Sequence, residues 1–121
     1  MPNPQSTAVA VEFLKTAAGL VAGGRAEDYG DPLICHEKMA VLVNAYMQIR
    51  RDPNAPLTPA DIAAIELLFK LARSQVGRFK EDTFCDGAAY FALTGAFDWI
   101  YRSVAGDLDK PQENTDERQR V

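Results

Sequence analysis

Apolar residues recur three and four positions apart through four segments of this chain, and glycine or proline closes most of them. That spacing gathers side chains on one side of an α-helix. No segment alternates apolar and polar residues as a half-buried strand does, and no internal repeat is present. The first helix is expected from about Ser6 to Val21, with Val11, Leu14, Ala18 and Val21 on one stripe and Ala10, Phe13, Ala17 and Leu20 on another. Gly23 and Gly24 end it, because glycine accepts the left-handed backbone of a helix stop. The second is expected from about Pro32 to Arg50, capped by Asp31 and started by a proline whose missing N–H costs nothing there. The third has the clearest start, since Thr58-Pro59-Ala60-Asp61 is close to a capping box. It should run to about Gln75, with Gly77 as the stop, and the fourth from about Asp82 to Ser103. Short connections favour antiparallel neighbours. The sequence therefore predicts an all-α fold: an up-and-down antiparallel bundle of about four helices, within residues 1–105 as a single helical domain.

The size of the chain sharpens this expectation. A chain of 121 residues buries a core only marginally. Small helical domains often complete such a core by self-association, so a homo-oligomer is expected. The tail, residues 106–121, is polar and is expected to be disordered. The net charge is −4. Without the tail, which holds five acids and three bases, ten basic residues stand against twelve acidic ones. No basic face emerges for a nucleic-acid backbone, so direct nucleic-acid binding is not expected. No apolar run approaches the roughly 20 residues that span a bilayer, and the first residues lack the positive start of a secretory signal. A cytoplasmic protein without a membrane partner is the expectation. Cys35 and Cys85 read as buried free thiols, and with one histidine they make no zinc pattern.

Helical projection at about 100° per residue singles out the charged positions. On the third helix Ile62, Ile65, Phe69, Ala72 and Val76 form one apolar stripe, Leu67, Leu68 and Leu71 a second, and Glu66, Lys70 and Arg73 share a narrow band. On the fourth, Asp82 and Asp86 continue the line of Tyr90, Leu93, Phe97 and Ile100, so both are expected to aim inward or into a cleft. Inward carboxylates need cations or hydrogen-bond donors, and Lys70 and Arg73 are the nearest across a hairpin turn at Gly77 to Lys80.

Two outcomes follow from this clustering. The charges can form a structural ion-pair network that fixes the hairpin. Alternatively they form a site. Magnesium takes one or two carboxylates plus water and substrate phosphate, which suits Asp82 and Asp86 one turn apart, with Asp61 as a further carboxylate. Glu37 on the second helix or Glu66 on the third would serve as a ligand or base, and metal-bound water would attack a phosphoryl group. Lys70 and Arg73 would hold phosphates. The connector Gly23–Pro32 spends an arginine and a tyrosine where a turn residue would do. Arg25 would reach a phosphate and Tyr29 would stack on a base; the structural alternative pairs Arg25 with an acid and uses Tyr29 as a packing plug.

Arg25-x-x-x-Tyr29-Gly30, Asp61-Ile62-Ala63, Lys70-x-x-Arg73 and Asp82-x-x-x-Asp86-x-x-x-Tyr90, in that order, form a pattern over about Phe13 to Ala96. It resembles a family of small helical proteins from phages and prophages labelled nucleotide-modification-associated. That resemblance implies a phage context and a link to nucleotide metabolism. More distantly the chain is similar to the MazG-type all-α nucleoside triphosphate pyrophosphohydrolases, which implies an oligomeric, magnesium-dependent enzyme releasing monophosphate and pyrophosphate. The chain lacks the E-x-x-E pair of those enzymes, and Ala89 precedes Tyr90 where they place glycine. The expected function is binding of a nucleotide or other phosphorylated small molecule, with magnesium-dependent hydrolysis as an extension. The alternative is a non-enzymatic interaction or nucleotide-sequestering protein.

Overall fold

The structure is a computed structural model, and it describes residues 3–23, 28 and 30–106. Four α-helices account for most of them, with no strand among the described residues: α1 (Pro4–Ala22), α2 (Pro32–Ile49), α3 (Pro59–Arg73) and α4 (Glu81–Ala105). The all-α class expected from the periodicity holds, and each boundary falls within about two residues of its expected place. The expected disorder of the tail concerns residues that, apart from Gly106, lie outside the described ones.

Local chemistry sets the helix starts. Asn3 accepts a hydrogen bond from the Gln5 amide at 2.9 Å, and Asp31 accepts one from the Leu33 amide at 2.8 Å. At α3 the capping box is complete. The Thr58 amide donates to Asp61 Oδ2 at 2.8 Å, and the Asp61 amide donates back to Thr58 Oγ1 at 3.2 Å. Each reciprocal bond satisfies an amide that the helix itself leaves without an acceptor. Gly77 turns the chain between α3 and α4 at φ 64, and Gly106 ends α4 at φ 78, both in the left-handed region.

The helices pack as a layer. α2 lies along α3, and α3 lies along α4 in the most extensive contact of the fold. Asp61 meets α2 through Tyr46 and Arg50, whereas Lys70 meets α4 through Asp86. These two α3 residues stand about 180° apart around the helix axis, so α2 and α4 flank α3 from opposite sides. The pairings run antiparallel: Tyr46 beside Asp61 on the α2 side, Lys70 beside Asp86 on the α4 side. The small core sits between α2 and α3, where Cys35, Met39 and Ala72 are buried and Leu42, Phe69 and Val76 pack against them. α1 contributes no buried residue, and every described position in it is exposed.

Two expectations are corrected here. The seam of α4 that faces α3 is not the line of Asp82 and Asp86. The buried residues of α4 are Thr83 and Gly87, one position along, and Asp82 and Asp86, both expected to aim inward, are exposed. Thr83 and Gly87 present little apolar side chain, so a projection weighted by hydrophobicity does not register them. Of the two cysteines, Cys35 is buried but Cys85 is exposed, and both are free.

Candidate functional site

The charged band of α3 and the acidic positions of α4 meet on one face of the layer. Lys70 Nζ lies 3.0 Å from Asp86 Oδ2. The Tyr90 hydroxyl donates to the Glu66 carboxylate, and this bond, ahead of the Glu66 charge and partial burial, raises the Tyr90 pKa above its ordinary 10.0. The Asp86 charge adds to that rise, and the Arg73 charge opposes it, so all five groups share one electrostatic neighbourhood. Asp82 is exposed one turn before Asp86 on the same helix. Four of the expected site residues are thus brought together, Glu66, Lys70, Arg73 and Asp86, with Tyr90 as an additional member and Asp82 beside them.

Asp61 stands elsewhere. Tyr46 Oη donates to its Oδ1 at 2.6 Å, while Arg50 Nη2, the Thr58 amide and Thr58 Oγ1 donate to its Oδ2 at 2.9, 2.8 and 3.0 Å. Burial alone would raise the Asp61 pKa, but the hydrogen bonds from Tyr46 and Thr58 and the Arg50 charge outweigh it and hold the carboxyl below 3.8. The same contact, with burial as the larger cause, pushes Tyr46 up to about 12. Arg50 also donates to the carbonyls of Ala55 at 2.8 Å and Pro56 at 3.1 Å, tying down the loop that follows α2. Both oxygens of Asp61 are therefore engaged in joining α2, the loop and α3. Glu37 is exposed on α2, the helix that packs on the other side of α3 from Asp86. Arg25 and Tyr29 lie outside the described residues. Among the described residues no three His, Cys, Asp or Glu side chains gather to hold a metal ion.

The connector before α2 reveals two contacts that the sequence pattern did not single out. Asp28 Oδ1 accepts from Arg78 Nε at 2.9 Å, and its Oδ2 lies 3.1 Å from Lys80 Nζ. The Lys80 bond, the largest influence, together with Arg78 keeps Asp28 below its ordinary 3.8 against partial desolvation. Gly30, at φ 72, sits so close to the next turn that a Cβ there would lie 3.5 Å from the Gly77 amide nitrogen. Asp28 thus fastens the connector to the α3–α4 turn, and Gly30 lies against it. The available signal was an acid in the connector and two cations in the hairpin turn, fifty residues apart in sequence.

The opposite face of the layer is apolar. One groove between α3 and α4, of about 240 Å³, is lined by Leu67, Leu71, Phe84, Ala88 and Phe91, together with Lys70 and Ser74. A second, of about 540 Å³ between α2 and α3, includes Val41, Leu42, Leu71 and Ala72. Leu71 belongs to both, so the grooves adjoin. Around α3, Leu71 stands about 160° from Arg73 and about 140° from Glu66, which sets this face against theirs, while Lys70 lies where the two faces meet.

No helix among the described residues is long and apolar enough to cross a membrane. The model of a family described as a domain of unknown function, DUF6378, matches residues 12–98. The chain is also similar to the Gene 55 protein of Mycobacterium phage L5, at 34% identity over 108 residues. That match covers 89% of this chain and 57% of the phage protein, so the chain spans little more than half of its relative's length. A phage relative agrees with the context that the sequence pattern implies. No solved structure matches. The matched segment takes in α2, α3, most of α4 and the greater part of α1, and the chain belongs to the DUF6378 family.

Proposed function

We propose that the charged face of α3 and α4 binds a nucleotide or another phosphorylated small molecule, and that it does so without turnover. The observation that supports this reading is the gathering of Lys70 and Arg73 with Glu66, Asp86 and Tyr90 on one face of a layer whose other face is apolar. Lys70 and Arg73 supply two positive charges about one turn apart on α3, which suits an anionic ligand carrying more than one charge. Arg25 and Tyr29 remain the expected partners of a further phosphate and of a base.

Magnesium would enter as part of that ligand. Asp86 is half-exposed and Asp82 exposed, so both carboxylates are open to an ion that brings phosphate oxygens and water with it. Hard-cation chemistry accepts such a donor set, and a bound ion would neutralise phosphate charge there. Asp61, engaged on all sides by the chain's own donors, is not included in that set.

Binding without turnover is favoured over hydrolysis by two contacts. Lys70 is already paired with Asp86, and Glu66, a candidate base in the metal-dependent reading, already accepts from Tyr90. The test is a thermal-shift panel of nucleoside mono-, di- and triphosphates with and without magnesium, followed by product analysis. A ligand at about 100 times its Kd adds about 2.7 kcal/mol to stability, a rise of many degrees in Tm for a chain this small. Stabilisation by a nucleotide that is lost in Lys70→Met, with the nucleotide recovered intact, supports the proposal. Absence of any rise overturns it, and release of pyrophosphate replaces it with the enzymatic reading.

A further inference from the structure

We infer that the apolar face of the layer is the seat of α1 from a second copy of this chain, so that two copies exchange their first helices. The two unpartnered parts are complementary. α1 exposes Val9, Val11, Phe13, Leu14, Leu20 and Val21, of which Phe13 is 70% and Leu14 69% exposed. The layer exposes Val41, Leu71, Phe84 and Phe91 around the two adjoining grooves. A helix with apolar residues on both of its stripes is not a solvated surface helix. The two adjoining grooves, lined mostly by apolar side chains with Lys38, Lys70, Ser74 and Gln75 among them, offer such a helix a continuous apolar seat.

Length and area agree with a helix from a second copy. The 19 residues of α1 reach about 28 Å against about 22 Å for α3, so α1 can lie along the whole groove. The chain exposes 9402 Å². A compact protein of 13.3 kDa exposes about 6,450 Å². Even if residues 107–121 are granted the full surface of an unfolded chain, about 2,650 Å², the remainder exposes roughly 950 Å² more than a compact body of its size. A standard interface covers about 800 Å² on each partner. The excess is thus enough for one partner, and the chain itself carries both halves of the contact, a helix without a groove and a groove without a helix. A mutual exchange about a two-fold axis satisfies both halves at once, in a closed dimer. Glu66 and Arg73 stand about 140° and 160° from Leu71 around α3, so the exchange leaves them open, while Lys70 lines the edge shared by the groove and the charged face.

The test combines light scattering with hydrogen exchange on the full chain, neither of which depends on a ligand. The wild-type protein should have twice the 13.3 kDa chain mass at micromolar concentration. The amides of α1 should exchange slowly in that dimer, although α1 is wholly exposed within its own chain. Leu14→Glu should return the mass to that of one chain, and so should Phe91→Lys. An equimolar mixture of the two variants should recover dimers, because one wild-type contact and one charge-paired contact form between them. A monomeric wild type overturns the inference. So does a dimer whose α1 amides exchange freely, or one that Leu14→Glu leaves intact with its helicity unchanged.

Discussion

Lys70 Nζ stands 3.0 Å from Asp86 Oδ2, yet the two side chains differ in their access to water, 18% for Lys70 and 51% for Asp86. The lysine is mostly covered by the helix pair, while its counter-charge sits at the rim. A half-exposed pair contributes about 0–1 kcal/mol to stability, since water and salt screen it and two long side chains lose freedom in forming it. In the proposed function its consequence is competition, since a phosphate held by Lys70 would have to displace Asp86.

This competition separates two kinds of ligand. Asp86→Asn should cost less than about 1 kcal/mol in urea unfolding. It should tighten binding of metal-free pyrophosphate, because the competing carboxylate is gone, and weaken binding of the magnesium complex, because a metal-facing oxygen is lost. Calorimetric titration of the variant with each form measures both. Weakening of both forms to the same degree would mean that Asp86 only positions Lys70.

The Arg50–Asp61 pair should behave in the opposite way. Its side chains are 5% and 9% exposed at 2.9 Å. Asp61→Ala leaves the Arg50 charge buried and uncompensated, which costs about 3–5 kcal/mol. Urea unfolding should show that loss, against an expected change well under it for Asp86→Asn.

Stability should fall at both ends of the pH scale for identifiable reasons. Asp61 and Asp28 have carboxyls held below 3.8, so the stability they add is complete above that value and is lost as the pH falls through their lower folded values. Tyr46 is raised from 10.0 to about 12, so its contribution is complete below pH 10 and is lost as the pH rises towards 12. Such a rise is worth at most roughly 2.7 kcal/mol, and the water that reaches the edge of the ring reduces it. Tyr46→Phe should lower stability at neutral pH and flatten the alkaline arm of the profile, as read by urea midpoints across the range.

Two glycines should respond oppositely to alanine. At Gly87 a Cβ would lie 3.6 Å from Lys70 Cβ and 3.7 Å from Leu67 Cδ1, ordinary contact distances in mid-helix. Gly87→Ala should therefore gain up to about 1 kcal/mol from helix propensity. At Gly30 the backbone is at φ 72, where a Cβ is strained, and Gly30→Ala should lose about 1 kcal/mol. Thermal midpoints of the two variants measure both signs.

These residues also mark how far the sequence could be read. Helix starts were legible because their determinants are local: Asp31-Pro32 and Thr58-Pro59-Ala60-Asp61 carry their own caps within four residues. That the Lys70–Arg73 band meets the aspartates across the Gly77 turn was legible because a short turn fixes which rows of two helices meet. The register was not: it placed Arg73 opposite Asp86, where the structure pairs Lys70. The seam of α4 was not legible either, since Thr83 and Gly87 pack by being small, and a hydrophobic projection looks for large side chains. Asp61 was read both as a capping-box acid, which its bonds with Thr58 bear out, and as a carboxylate open to a metal ion, which its other partners rule out. Tyr46 and Arg50 reach it only through the tertiary pairing of α2 with α3, which no local pattern encodes. The role of Asp28 was hidden for the same reason, fifty residues from Arg78.

The most direct measure of the central claim is an amide and side-chain NMR titration of the chain with ATP, with and without magnesium. The account predicts saturable chemical-shift changes concentrated on Glu66, Lys70, Arg73, Asp86 and Tyr90, with Asp61 and the Leu71–Phe91 face unmoved. Changes confined to the apolar face, or none at millimolar nucleotide, would contradict it.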